Sequence, residues 1–171
     1  MDLTEGIIDL SKIKYIDLFC GIGGFHQALN NFGAECVLAC DINTDCRVVY
    51  KDNYGIEPVA NVKDIDEKTM PDFDILCAGF PCQAFSNGGN KKCFKDERGL
   101  LFDEIIRIAT EKKPKFMFLE NVKHILKVSK GEVISYIKIK LRRLVIHYNY
   151  FKYHHIIMAF HNKEKEFILF V

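Results

Sequence analysis

The sequence predicts an α/β protein: a mostly parallel, doubly wound sheet that ends in an antiparallel hairpin, all within one domain of 171 residues. Three observations predict it. Apolar, β-rich runs alternate along the chain with stretches of helical period. Glycines stand where a strand hands over to a helix, and a hydrophobic content of 49% suffices for one core at this length.

Taken in order, KYIDLFC (14–20) is β-rich and ends at Gly21. Phe25, Ala28, Leu29 and Phe32 then recur at i, i+3, i+4 and i+7, which predicts an amphipathic helix stopped by Gly33. AECVLAC (34–40) reads as a second strand and TDCRVVYKDNYG (44–55) as a helix closed by glycine, with a short strand expected near residues 57–60. FDILCAG (73–79) is the next strand. LLFDEIIRIATEKK (100–113) is a helix with Leu101, Ile105, Ile108 and Ala109 on one face, ended by Pro114. KFMFLENV (115–122) is a strand, Ile134, Ile137, Leu141 and Leu144 mark another helix, and YNYFKYHHIIMAF (148–160) with EFILFV (166–171) predict the hairpin. The irregular stretch 80–99 is long for a connection inside a compact domain, a length common in lids and binding loops.

Composition narrows the function classes. No run approaches the roughly 18 apolar residues of a membrane span, and MDLTEGIIDLSKIK carries charges where a signal peptide needs an apolar core, so a soluble, cytoplasmic protein is expected. Seven cysteines, an odd number set mostly among apolar residues, read as reduced thiols rather than a disulfide framework. No C-x-x-C pair exists, and no metal site is expected. The net charge of +1 conceals a division: residues 1–90 hold 6 Lys+Arg against 14 Asp+Glu, residues 91–171 hold 18 against 9. A basic second half suits a polyanion; uneven solvated helix faces are the competing reading.

Some residues have the setting for chemistry. In IDLFCGIGGF, Gly21, Gly23 and Gly24 sit between strand and helix, where missing side chains let a ligand approach backbone N–H groups. Position 26 is His, so a G-x-G-x-x-G fingerprint is not completed. Asp41, 20 residues past Gly21 at the end of the second strand, is placed to accept hydrogen bonds from ribose hydroxyls; a packing turn with an exposed acid is the alternative. Cys82 follows Pro81 just past a strand end, where open α/β sheets bind ligands, so its sulfur is held on a defined turn. As a thiolate it would attack an electron-poor carbon; an inert half-buried cysteine is the alternative. Glu120 ends the neighbouring strand, either as a surface acid or as a partly desolvated proton donor.

DLFCGIGGF, Asp41, GFPCQAFS and ENV (120–122), in this order and spacing, resemble the catalytic domain of the DNA (cytosine-5)-methyltransferases, from about Tyr15 to the end of the chain. The resemblance implies a Rossmann-like S-adenosylmethionine-dependent methyltransferase fold, with S-adenosyl-L-methionine as cofactor and double-stranded DNA, its target cytosine flipped out, as partner. It implies Cys82 as nucleophile and Glu120 as the carboxylate on the cytosine ring. Phe19, Gly21, Gly23 and Gly24 would line the cofactor, Asp41 would hold its ribose, Ile42 its adenine, Asp64 and Ile65 the adenine edge, and Pro81 and Leu101 would complete the pocket. Gln83, Ser86, Lys91, Lys92, Asn121, Lys163 and Lys165 would face DNA.

Two departures from the family pattern stand out. HNKEKEFILFV places His161, Lys163 and Lys165 where a glutamine and two arginines are expected, and lysine lacks the bidentate fork of arginine. The chain also ends at Val171 before a target-recognition region and the family's last two elements. The readings are therefore an incomplete catalytic domain completed by a second polypeptide in a split methyltransferase, a truncated and inactive remnant, and an enzyme acting on RNA cytosine.

Overall fold

The computed structural model describes residues 10–81, 100–147, 157–160 and 166–170, with backbone alone beyond residue 144. The elements follow the expected alternation: β1 (Lys14–Leu18), α1 (Gly24–Asn30), β2 (Glu35–Cys40), α2 (Thr44–Tyr54), β3 (Ile75–Gly79), α3 (Leu100–Lys112), β4 (Phe116–Val122), α4 (Glu132–His147), β5 (Ile157–Phe160) and β6 (Glu166–Phe170). Among the described residues the strands form one sheet in the order β2-β1-β3-β4-β6-β5. The first four are parallel, and β6 pairs antiparallel with both β4 and β5, which gives the hairpin. The short strand expected near residues 57–60 is reduced to a single parallel bridge between Cys40 and Val59.

Alternation along the strands divides the core between the two faces of the sheet. Ile16, Leu18, Leu76, Ala78, Met117 and Leu119 pack with Phe102, Ile105 and Ile108 of α3 and with Val133, Ile137 and Leu141 of α4. Each such side chain larger than alanine contributes about 1.5–3 kcal/mol when fully buried. On the other face Tyr15, Ile75 and Cys77 meet Leu29 of α1. The face of α3 matches the spacing, with Leu101 half-buried at its start. In α4, Val133 rather than Ile134 is the buried first member.

The face of α1 departs from the expectation. His26 and Leu29 point inward, while Ala28 is exposed and Phe32, beyond the helix end, is 47% exposed. The helix has only seven residues, and a polar contact turns it: His26 stacks on Tyr54 with ring centroids 3.9 Å apart and sits 2.8 Å from the Tyr50 hydroxyl through Nδ1.

Chain order supplies the crevice. From β1 the chain moves to β2 on one side and then crosses to β3 on the other, so the strand order reverses between β1 and β3. Open α/β sheets bind ligands at the carboxyl ends of the strands at such a reversal.

Candidate active site

One register row sets the geometry. Cys40, Leu18, Ala78 and Leu119 are paired across β2, β1, β3 and β4, so the next residue of each strand falls along the carboxyl edge: Asp41, Phe19, Gly79 and Glu120. Four separate stretches, spanning some hundred residues of sequence, are thereby brought into line.

At the end of β1 the backbone bends back sharply. Phe19 has φ 57, a left-handed conformation that costs a non-glycine residue about 1–3 kcal/mol and gathers at functional sites. Cys20 N–H donates to the Cys40 carbonyl at 3.0 Å and Gly23 N–H to the Cys20 carbonyl at 2.8 Å. Gly23, at φ 98, needs to be glycine twice over, since a β-carbon there would overlap the Tyr54 ring and lie 2.8 Å from its hydroxyl oxygen. That hydroxyl donates to the Gly23 carbonyl at 3.2 Å. Gly21 and Gly24 are different: a β-carbon at either meets nothing within 4 Å. The space above them is open.

Asp41 is oriented before any ligand arrives. Its Oδ2 accepts the Gly21 N–H and its Oδ1 the Asn43 N–H, both at 2.8 Å, leaving each oxygen further lone pairs directed outward. Arg47 donates to the carbonyls of Asp41 (3.0 Å) and Ile42 (2.9 Å), and Asn43 caps α2 by accepting from Asp45 N and Cys46 N. Ile42 is 77% exposed and Ile22, at the tip of the glycine turn, 63% exposed. Ile22 was not among the expected residues; its signal was an apolar side chain between glycines.

Beneath this turn lies a buried polar cluster. Asp17, fully buried on β1, accepts from the Tyr50 hydroxyl at 3.4 Å, and its Oδ1 has no partner. Burial pushes its carboxyl up to about 8, the nearby Asp41 charge adding to this and the Tyr50 hydrogen bond opposing it. Burial lowers the His26 pKa and raises the neighbouring thiols, Cys40 to about 12. Cys20, Cys40 and Cys77 are buried thiols of the core.

The ends of β3 and β4 bring Gly79 and Glu120 side by side. Gly79 pairs with Glu120, and a β-carbon on Gly79 would come within 3.2 Å of Glu120 Oε2, so the missing side chain gives the half-buried carboxylate its space. Phe80 is buried, Pro81 exposed, and Cys82 follows outside the described residues, as do Gln83, Ser86, Lys91, Lys92, Lys163 and Lys165.

Two of the expected site residues have buried side chains. Asn121, expected to face DNA, is 2% exposed, and its Nδ2 donates to the Phe80 carbonyl at 2.6 Å, because β4 alternation turns it into the protein beside Glu120. Ile65, expected at an adenine edge, has its side chain in the main core and its carbonyl bonded to Arg107. Asp64 is exposed at the end of a 3-10 turn, Val62–Asp64. Asn61 also went unnoticed: it lies two residues past Val59, whose carbonyl accepts the Asp41 N–H at 3.0 Å, and its side chain caps the same turn.

The geometry defines the class first. An open, mostly parallel sheet, a glycine turn after its central strand and an acid after the next are the parts of a Rossmann-like fold, the one S-adenosylmethionine-dependent methyltransferases share. The backbone superposes on Dnmt2 methyltransferase from S. pombe with a TM-score of 0.70 (22% identity, 92% of this chain and 50% of that one). It likewise superposes on the Entamoeba histolytica methyltransferase EhMeth with a TM-score of 0.64 (22% identity, 92% and 52%).

Sequence comparison then fixes the family. Residues 13–162 match the model of the C-5 cytosine-specific DNA methylases, and the chain belongs to that family. It is 47% identical over 135 residues to the type II methyltransferase M.HhaI of Haemophilus parahaemolyticus, covering 79% of this chain and 41% of the relative. It is 46% identical over 138 residues to M1.ScrFI of Lactococcus lactis subsp. cremoris, covering 78% and 35%. The chain thus spans about two fifths of the length of these curated relatives.

Proposed function

We propose that this chain is the cofactor-binding and catalytic part of a DNA (cytosine-5)-methyltransferase that methylates carbon 5 of a flipped cytosine through a covalent cysteine adduct. The observation that carries this reading is the register row: the β1 turn and Asp41 on one side, Gly79 leading to Pro81 and Cys82 in the middle, Glu120 beside it.

S-adenosyl-L-methionine fits the residues present. Gly21 and Gly24 leave room for a ligand against the turn, Asp41 is oriented to accept from ribose hydroxyls, and exposed Ile42 offers an apolar surface to the adenine. Phe19 and Gly23 shape the turn, Asp64 stands at the adenine edge through the turn that Ile65 anchors, and Pro81 and Leu101 complete the pocket. When bound, the cofactor supplies an electrophilic methyl group on a sulfonium.

The chain's own residues prepare the acceptor. Carbon 5 of cytosine is a weak nucleophile. The Cys82 thiolate adds to carbon 6, forming a C–S bond and moving the ring electrons toward carbon 5, which then takes the methyl group. Glu120, hydrogen-bonded to ring N3 and the exocyclic amine, stabilises the charge that builds on the ring as sulfur adds. Loss of the carbon 5 proton to a base restores the 5,6 double bond and expels the thiolate. Asn121 serves this step by fixing the Phe80 carbonyl two residues before Cys82. The target base must leave the stack to enter such a site. Gln83, Ser86, Lys91, Lys92, Lys163 and Lys165 are proposed to hold the DNA, mostly through phosphates.

A second polypeptide that supplies target recognition is a further element of the proposal, tested together with it. The test is adduct formation with duplex DNA carrying 5-fluorocytosine in the presence of S-adenosylmethionine, with the chain alone and with candidate partners. A covalent complex that disappears in Cys82→Ser is expected. An adduct that persists in the serine variant overturns the assignment. Cofactor binding with no adduct under any pairing identifies an inactive remnant.

A further inference from the structure

We infer that Arg107, on α3, is a positioning residue that sets adenine recognition from behind. The inference rests on the reading of the Val62–Asp64 turn as the adenine edge. Arg107 lies outside every motif and more than 40 residues from that turn, yet its guanidinium is spread across it. Nη1 donates to the Ile65 carbonyl at 3.0 Å and Nη2 to the Val62 carbonyl at 3.2 Å, one at each end of the turn. Two further N–H groups are held by carboxylates: Nε donates to Glu104 Oε2 at 2.7 Å, and Nη1 pairs with Glu67. Glu104 belongs to α3 and Glu67 to the segment just past the turn, so the planar fork is braced from both sides.

The physical need for it follows from the sheet. Where a full strand would enter this edge there is one bridge, Cys40 to Val59, so the sheet itself fixes the turn only at its entrance. Val62 and Ile65 anchor it below by burial. The two carbonyls flanking Asp64 are free of the ladder, and Arg107 fixes their direction and thereby that of exposed Asp64. A lysine, with one compact ammonium, keeps the charge opposite Glu67 and Glu104 and cannot span both carbonyls in a plane.

The test is isothermal titration of the full chain with S-adenosylhomocysteine and with its inosyl counterpart, which carries oxygen in place of the adenine amine. Wild type should prefer the adenosyl form, and in Arg107→Lys and Arg107→Met that preference should fall roughly tenfold, the scale of a lost or misdirected hydrogen bond. A purely structural role would weaken both ligands alike and leave their ratio unchanged, which overturns the inference. An unchanged ratio with unchanged affinity overturns it as well, and a lysine variant that fails to fold assigns Arg107 to the fold itself. A wild-type chain without preference for adenine fails differently: the turn is then not an adenine edge, and the reading beneath the inference falls with it.

Discussion

The turns after β1 and β3 lie side by side on the same edge of the sheet, and they are held in unlike ways. After β1, backbone hydrogen bonds, the Asp41 carboxylate and the Tyr54 ring all press on five residues, and a buried cluster of Asp17, His26 and Tyr50 supports them from below. After β3, among the described residues, the buried Phe80 side chain and the Asn121 amide tie down the stretch that leads to Cys82. The first turn is built to be the same before and after a ligand binds. Among the described residues, the second is held by the burial of one aromatic ring and by one side-chain amide.

Substitutions can break this contrast, and the largest effect is expected at Gly23. Gly23→Ala forces an alanine into φ 98 and against the Tyr54 ring, and strain plus overpacking should cost about 4 kcal/mol, read as a loss of denaturant midpoint. If the variant is as stable as wild type, the turn is more pliable than the packing indicates.

Asp17 gives the next effect, with a pH signature. Its carboxyl titrates near 8 when folded and near 3.8 when unfolded, so between these values the folded chain holds a proton that the unfolded chain has released. Stability from this group is fully present below the lower value, falls as pH rises and is lost above 8. From pH 5 to 7 the fall should amount to about 3 kcal/mol, and Asp17→Asn should flatten it in thermal unfolding measured across that range. A slope that survives the substitution places the titration elsewhere.

On the β3 side, Asn121→Ala leaves the Phe80 carbonyl unpaired and should cost about 2 kcal/mol in chemical unfolding. Its sharper consequence is local: 5-fluorocytosine adduct formation should slow more than cofactor affinity changes. Equal losses in both would dissolve the contrast between the turns. The smallest expected effect is at Gly24. Gly24→Ala should leave stability within about 1 kcal/mol of wild type, as its β-carbon meets no protein atom, while S-adenosylmethionine affinity drops because the methyl group occupies the ligand's side of the turn. Unchanged affinity would show that the ligand lies elsewhere.

What the sequence revealed, and what it hid, follows sequence distance. The alternation of elements, the glycine turn and Asp41 were legible because each is a local pattern or a fixed spacing along one βαβ unit. The contacts that give these residues their geometry were not. Tyr54 lies 31 residues from the glycine it braces, Asn121 lies 41 from the carbonyl it holds, and Arg107 lies 42 from Ile65. None has a motif, because an arginine on a half-buried helix face or an asparagine in a strand reads as solvated or capping. The α1 face was misjudged for a related reason: in so short a helix one aromatic–histidine stack outweighs the apolar period. Asn121 and Ile65 were expected at ligand-facing positions, and strand alternation and core packing bury their side chains there.

The opposite edge of the sheet carries its own consequence. Asp74, just before β3, donates its N–H to the Lys14 carbonyl and accepts the Lys14 N–H on its carboxylate, and its own carbonyl accepts from Lys115 N and Phe116 N. One residue thus gathers the starts of β1, β3 and β4. In hydrogen-exchange terms these amides belong to one cooperative unit, opening together at the cost of the central sheet. The amides of Lys14, Asp74, Lys115 and Phe116 should therefore exchange at closely similar, slow rates.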